Sequence, residues 1–117
     1  MTGFVAAIVA ATSLHITVWP LGPSGAARAW TLRCDPVGGT LPSRASACGR
    51  LATIRRPFRP VPADAACAQI YGGPQTALVT GRLRGASVRA TFNRRDGCEI
   101  GRWDRVRFLF PVRTGRR

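Results

Sequence analysis

The chain has 117 residues, a formal net charge of +13 and 45% apolar content, which suits one domain with a single modest core and excludes a wholly disordered chain. All 18 strongly basic side chains are arginine. Phosphate-binding patches usually mix lysine with arginine, so this even spread reads as a solvated cationic surface and not as a specific nucleic-acid site.

In chain order, FVAAIVAATSL (residues 4–14) is an apolar run too short to span a bilayer, so no membrane insertion is expected. It has the character of the hydrophobic part of an export signal, with Val9 and Ala11 as small residues ahead of a cleavage point. A basic leader is missing, since the first arginine is Arg28. Residues 1–11 are read as a clipped signal segment of a secreted protein, 12–112 as the folded domain and 113–117 as a basic tail. SLHITVW (13–19) alternates Leu14, Ile16 and Val18 with His15, Thr17 and Trp19, which predicts a strand. His15 then falls on the strand's second face as a surface residue, not as a ligand or base. A turn at PLGPSG leads to a second strand over 28–34, with Trp30, Leu32 and Cys34 on one side.

Residues 35–43 read as a loop in which Gly38 and Gly39 supply permissive backbone. Ser43 is a candidate N-cap for a helix whose packed face is Ala45, Cys48, Leu51 and Ala52. Pro57, Pro60 and Pro62 forbid regular structure across 55–66, leaving a semi-rigid surface loop that leads into Cys67. Residues 74–81 and 86–92 form a hairpin about Gly81 and Gly85, and NRRDGCEIGRW reads as a turn with about one turn of helix. RVRFLFPV (105–112) predicts a fifth strand, with Val106, Phe108, Phe110 and Val112 on one face. Five antiparallel strands and one or two short helices make an α+β sandwich of sheet and helix.

Little catalytic chemistry is on offer. There is one histidine and no lysine, and Asp35, Asp64, Asp96, Glu99 and Asp104 show no paired-carboxylate spacing. No G-x-S-x-G setting and no phosphate-cradling glycine loop occurs. The protein is expected not to be an enzyme and to use no cofactor. Aromatic residues could stack bases between arginines, but Phe92, Phe108 and Phe110 fall on faces that a small core needs. Trp103 is left as a candidate surface aromatic. Cys34, Cys48, Cys67 and Cys98 have no C-x-x-C spacing, so a metal site is not expected. An even count in a short chain points to two disulfides in an oxidising compartment. Spacing permits three pairings; chain order is the simplest and closes two modest loops, each bridge stabilising by about 3 to 4 kcal/mol on the loop-entropy model.

Three stretches taken together carry a resemblance. WTLRCDPVGGTLPSRASAC (30–48), CAQIYGGP (67–74) and GCEIGRW (97–103) resemble, in that order, the Streptomyces subtilisin inhibitor family of secreted bacterial serine-protease inhibitors. The likeness runs from about Leu14 to Phe110. Its specific parts are C-x-P followed by G-G-T-x-P, Cys-x-x-aliphatic-Tyr, and Cys-Glu near the end. The resemblance implies a five-stranded antiparallel sheet with two helices, disulfides Cys34–Cys48 and Cys67–Cys98, and a homodimer packed sheet to sheet. Family members begin close to their first strand, which agrees with a signal segment over 1–11.

Carried over residue by residue, the resemblance implies a reactive loop of Cys67, Ala68, Gln69, Ile70 and Tyr71, with Gln69–Ile70 as the scissile bond. Gln69 would enter the primary pocket of a subtilisin-type serine protease, while Pro74 and Asp96 would support the loop. Three positions depart from the family's habit. Relatives often carry Pro at Ala68 and Met or Lys at Gln69, and Asn at Asp96. Ala68 leaves the loop freer, which implies weaker inhibition or slow cleavage. An ionised Asp96 accepts hydrogen bonds but cannot donate one to the loop. The alternative function is a cationic secreted protein that keeps this fold, binds acidic polymers and inhibits weakly or not at all.

Overall fold

The structure, a computed structural model, describes residues 11–113. Period-two alternation of apolar and polar residues gives β1 (Thr12–Trp19), in which Leu14, Ile16 and Val18 are buried and His15 is exposed, as expected. β1 lies at the centre of the sheet, with Ile16 facing Trp30 of β2 (Arg28–Cys34) on one side. On the other side Ile16 faces Val79 of β4 (Thr76–Leu83). β5 (Ala86–Phe92) adds one edge and β3 (Gly38–Gly39) the other, giving the fully antiparallel order β3-β2-β1-β4-β5.

β3 lies inside the segment read from sequence as a loop. It pairs Gly39 with Leu32 and Gly38 with Arg33. A side chain at Gly39 is excluded twice: its φ is +107°, and a Cβ there would sit 2.3 Å from the Thr31 carbonyl oxygen. Thr31 and Thr40 close the edge, each backbone N–H donating to the other's hydroxyl, at 3.0 and 3.2 Å.

The strand expected over 105–112 does not form. α2 (Gly97–Arg105) runs for nine residues and passes into a 3₁₀ turn over Arg107–Leu109. Trp103, Val106 and Phe110 are buried together with Leu109, and their spacing of three, four and seven is helical. The same apolar residues satisfied two periods, and packing against the sheet selected the helical one. Trp103 is correspondingly a core residue with no exposure, not a surface aromatic. Its ring centroid lies 4.7 Å from Phe110, which meets Phe92 edge-on at 5.2 Å.

α1 (Arg44–Ala52) buries Ala47 and Leu51, while Ala45 and Ala52 of the expected face are exposed. Ser43 occupies the cap position but makes no side-chain cap bond, because its left-handed backbone (φ 54°) departs from the extended geometry that aims a cap hydroxyl into the first turn. Cys34–Cys48 fastens α1 to the end of β2, and Cys67–Cys98 joins the long α1–β4 connection to α2. This is the pairing in chain order. No described helix is long and apolar enough to cross a membrane. The expected signal segment falls outside the described residues except for Ala11, whose carbonyl accepts the Gly85 N–H at 2.9 Å; of the tail, only Arg113 is described.

Trp103→Ala should cost about 3 to 5 kcal/mol of unfolding free energy through the cavity it leaves, read as a lower urea midpoint. An unchanged midpoint would remove Trp103 from the centre of the core.

Candidate functional site

Between α1 and β4, residues 53–75 contain no helix or strand. A structureless connection of that length in a small domain is usually functional, and its backbone groups need partners from elsewhere. Three arginines supply them. Arg84, in the β4–β5 turn, donates from Nη2 to the Ile54 and Arg55 carbonyls at 3.1 and 3.2 Å, and from Nη1 to the Leu51 carbonyl at 3.4 Å. Arg102 of α2 donates from Nε to the Arg59 carbonyl at 2.8 Å, from Nη2 to the Phe58 carbonyl at 3.3 Å, and from Nη1 to the Thr91 carbonyl. Its guanidinium carbon lies 3.9 Å above the Phe92 ring centroid. Burial pushes the Arg102 pKa below the ordinary arginine value, against the opposing pull of Glu99 at 3.6 Å, and Arg105 adds to the lowering.

Arg94 holds the far end. Its Nε donates to the Gly72 carbonyl at 3.2 Å, and the Gly72 N–H donates to the Arg94 carbonyl at 2.7 Å. Its Nη1 pairs with Asp104 Oδ1 at 2.9 Å.

Between these anchors runs the segment Cys67–Tyr71. The Cys67–Cys98 bond fixes its start to the second residue of α2. The Ala68 carbonyl points back at the body, accepting the Gly97 N–H at 2.8 Å and the Ile70 N–H at 2.9 Å. Gln69 Nε2 donates to the Cys67 carbonyl at 3.3 Å. Ala68, Gln69, Ile70 and Tyr71 are all exposed, Ile70 to 57% and Tyr71 to 68%. The segment lies close to α2 because two glycines allow it. A Cβ on Gly97 would be 3.1 Å from Ala68 Cβ, and one on Gly72 would be 2.8 Å from Ile100 Cδ1.

Of the residues expected from sequence, Cys67 to Tyr71 and Cys98 therefore come together with Asp96 beside them. Asp96 Oδ1 accepts the Glu99 N–H at 2.9 Å, which makes Asp96 the N-cap of α2; it is Gly97, the next residue, that reaches the segment directly. Pro74 is exposed and lies farther along, against Gly22 of the β1–β2 turn. Gly72, Arg94, Gly97 and Arg102 were not singled out by the sequence. For Arg102 a signal existed, an arginine beside Trp103 on the buried side of a short helix; for Arg94 there was none.

The family model described as subtilisin inhibitor-like matches residues 10–94. Among solved structures, sermetstatin from Streptomyces caespitosus, in its crystal complex with subtilisin from Bacillus licheniformis, is 22% identical with a TM-score of 0.56. The match covers 87% of this chain and 99% of that one, and at this identity it shows a shared fold. No curated protein matches the chain.

Replacing Cys67 and Cys98 together by serine should cost about 2 to 5 kcal/mol and open residues 53–75 to limited proteolysis, with cuts mapped by mass spectrometry. Protection equal to that of the parent protein would show that the arginines hold the segment alone.

Proposed function

The chain belongs to the subtilisin inhibitor-like family, whose members are protease inhibitors and not enzymes, and on that premise we propose that it blocks subtilisin-type serine proteases by presenting Gln69–Ile70 as a substrate. One observation carries the reading: an exposed stretch, Ala68–Tyr71, is pinned at both ends, to α2 through Cys67–Cys98 and Gly97 and to Arg94 through the Gly72 that follows it. A protease pairs its own backbone with an extended segment and takes alternate side chains into pockets. A segment already ordered loses little conformational entropy on contact, so more of the contact energy appears as affinity.

Gln69 is neutral, long and polar, which suits a tolerant subtilisin-type pocket. A trypsin-type pocket, built around a buried acid that requires a cation, should reject it. Ala68 lacks the ring that relatives often carry there, but the Gly97 N–H to its carbonyl restrains the same peptide from the scaffold side. Two disulfides agree with a secreted protein working in an oxidising exterior. The same proposal includes removal of residues 1–11 on export, and a homodimer in which two copies meet on the outer sheet face.

Titrating a fixed amount of subtilisin with the refolded protein should remove its activity stoichiometrically. Gln69→Asp should weaken inhibition by about a hundredfold or more, since the pocket would have to desolvate a carboxylate, while Gln69→Leu should retain it. Undiminished proteolysis at excess protein, with binding to polyanions that disappears at modest salt, would sink the proposal in favour of a cationic binding protein. Sedimentation of the 117-residue, 12.6 kDa chain should give twice that mass; a single-chain mass would remove the dimer alone.

A further inference from the structure

Cutting between Gln69 and Ile70 would leave two new ends, which the scaffold retains in different ways. The acyl end lies two residues beyond Cys67, which is covalently tied to Cys98. The amine end begins at Ile70, two residues before Gly72, and, ahead of its chain link to β4 at Thr76, Gly72 is held by non-covalent contacts. Its strongest holder is Arg94, through the reciprocal pair of backbone and Nε hydrogen bonds at 2.7 and 3.2 Å. That guanidinium is not free to wander. Its side chain is 9% exposed, Asp104 fixes Nη1 at 2.9 Å, and its central carbon lies 5.7 Å from the centre of the Trp103 ring. Gly72 is also pressed against Ile100, so the amine-side anchor sits on α2 as the acyl-side anchor does.

We propose that Arg94 is a positioning residue that keeps the Ile70 amine beside the acylated protease, so that the cut bond is resealed in preference to being hydrolysed. The inference rests on Gln69–Ile70 being the reactive bond. In the acyl-enzyme, the Gln69 carbonyl carbon is bonded to the protease's serine oxygen, and Ile70 has left as an amine carrying the proton that the serine gave up. Resealing forms the C–N bond again from that amine. The serine oxygen departs and recovers the proton through the protease's histidine. Hydrolysis starts from the same ester, but water supplies the new C–O bond and Gln69 ends as a carboxylate. The two outcomes therefore divide according to how closely the amine is held, because a tethered nucleophile acts at a very high effective concentration.

Only Ile70 and Tyr71 separate the amine from Gly72. Arginine is the residue type this arrangement demands: its planar fork reaches the Asp104 carboxylate and the Gly72 carbonyl at once, whereas a lysine ammonium is a single point donor on a flexible stem. With Ala68 in place of the family's frequent proline, the acyl side is less restrained by its own backbone, and more of the retention falls on the amine side.

The test uses the full chain as wild type, Arg94→Met, Arg94→Lys and Asp104→Asn. Each is incubated with trace subtilisin until the ratio of intact to cut protein stops changing, approached from intact and from pre-cut material, with mass spectrometry as the readout. Wild type should settle with both forms present and should be resynthesised from the cut form. Arg94→Met should move the ratio toward the cut form by about tenfold and make inhibition temporary, with Arg94→Lys and Asp104→Asn between the two. The intact-to-cut ratio should move by a larger factor than the rate of initial complex formation, which separates a tether from general loosening of the loop. Should Arg94→Met fail to fold, Asp104→Asn decides, because it leaves both bonds to Gly72 possible and loosens only the guanidinium's aim. Folded variants that settle at the wild-type ratio overturn the inference. A wild-type protein that inhibits but is cut elsewhere, or that does not inhibit, overturns the reactive-bond reading instead, whatever the variants do.

Discussion

The structure depends on guanidinium groups donating to main-chain carbonyls that no sheet or helix can satisfy. Residues 53–75 lie outside every regular element, and a buried or half-buried carbonyl without a partner is costly. Arg84, Arg102 and Arg94 meet this need in sequence along the connection, at its start, its proline-rich middle and its end. Charged donors make stronger hydrogen bonds than neutral ones, and the arginine fork serves several acceptors from one fixed plane. The result is a stretch of irregular chain with the fixity of a framework element.

α2 organises the rest through its own geometry. At about 3.6 residues per turn, Gly97, Ile100 and Asp104 share one side and meet Ala68, Gly72 and Arg94 in that order. Cys98 and Arg102, four apart, face the approach to the segment and hold Cys67, Phe58 and Arg59. Trp103 turns inward and fixes the helix to the core. A nine-residue helix thereby touches both flanks of the exposed segment while packing on the sheet. Its first turn is secured by Asp96, whose negative charge at the N-terminus also complements the helix dipole.

Rigidity of this kind is what an inhibitor of the substrate-like type requires. Exposure of Ile70 and Tyr71 without burial elsewhere would be a liability in a free surface loop, whereas on a braced segment it is a ready contact. The disulfide alone restrains one side of the proposed bond. Gly97 adds to that side by meeting Ala68, while Arg94 and the close approach allowed at Gly72 restrain the other.

Four of the sheet's five strands were legible in the sequence. Period-two runs at 13–19, 28–34 and 86–92 are local patterns with one solution each, whereas the segment around Gln69 was marked out only by the resemblance of three short stretches to a family. The C-terminal apolar run was legible only as apolar, because Val106, Phe108 and Phe110 fit a strand while Trp103, Val106 and Phe110 fit a helix, and only contact with the sheet chooses between them. β3 was hidden for the opposite reason: two glycines carry no strand signal, although at Gly39 the Thr31 backbone passes too close for any side chain. The arginines that brace the segment looked like the other basic residues of an arginine-rich surface. A guanidinium's role is set by which distant carbonyls lie within its reach, and that distance exists only once the chain has folded.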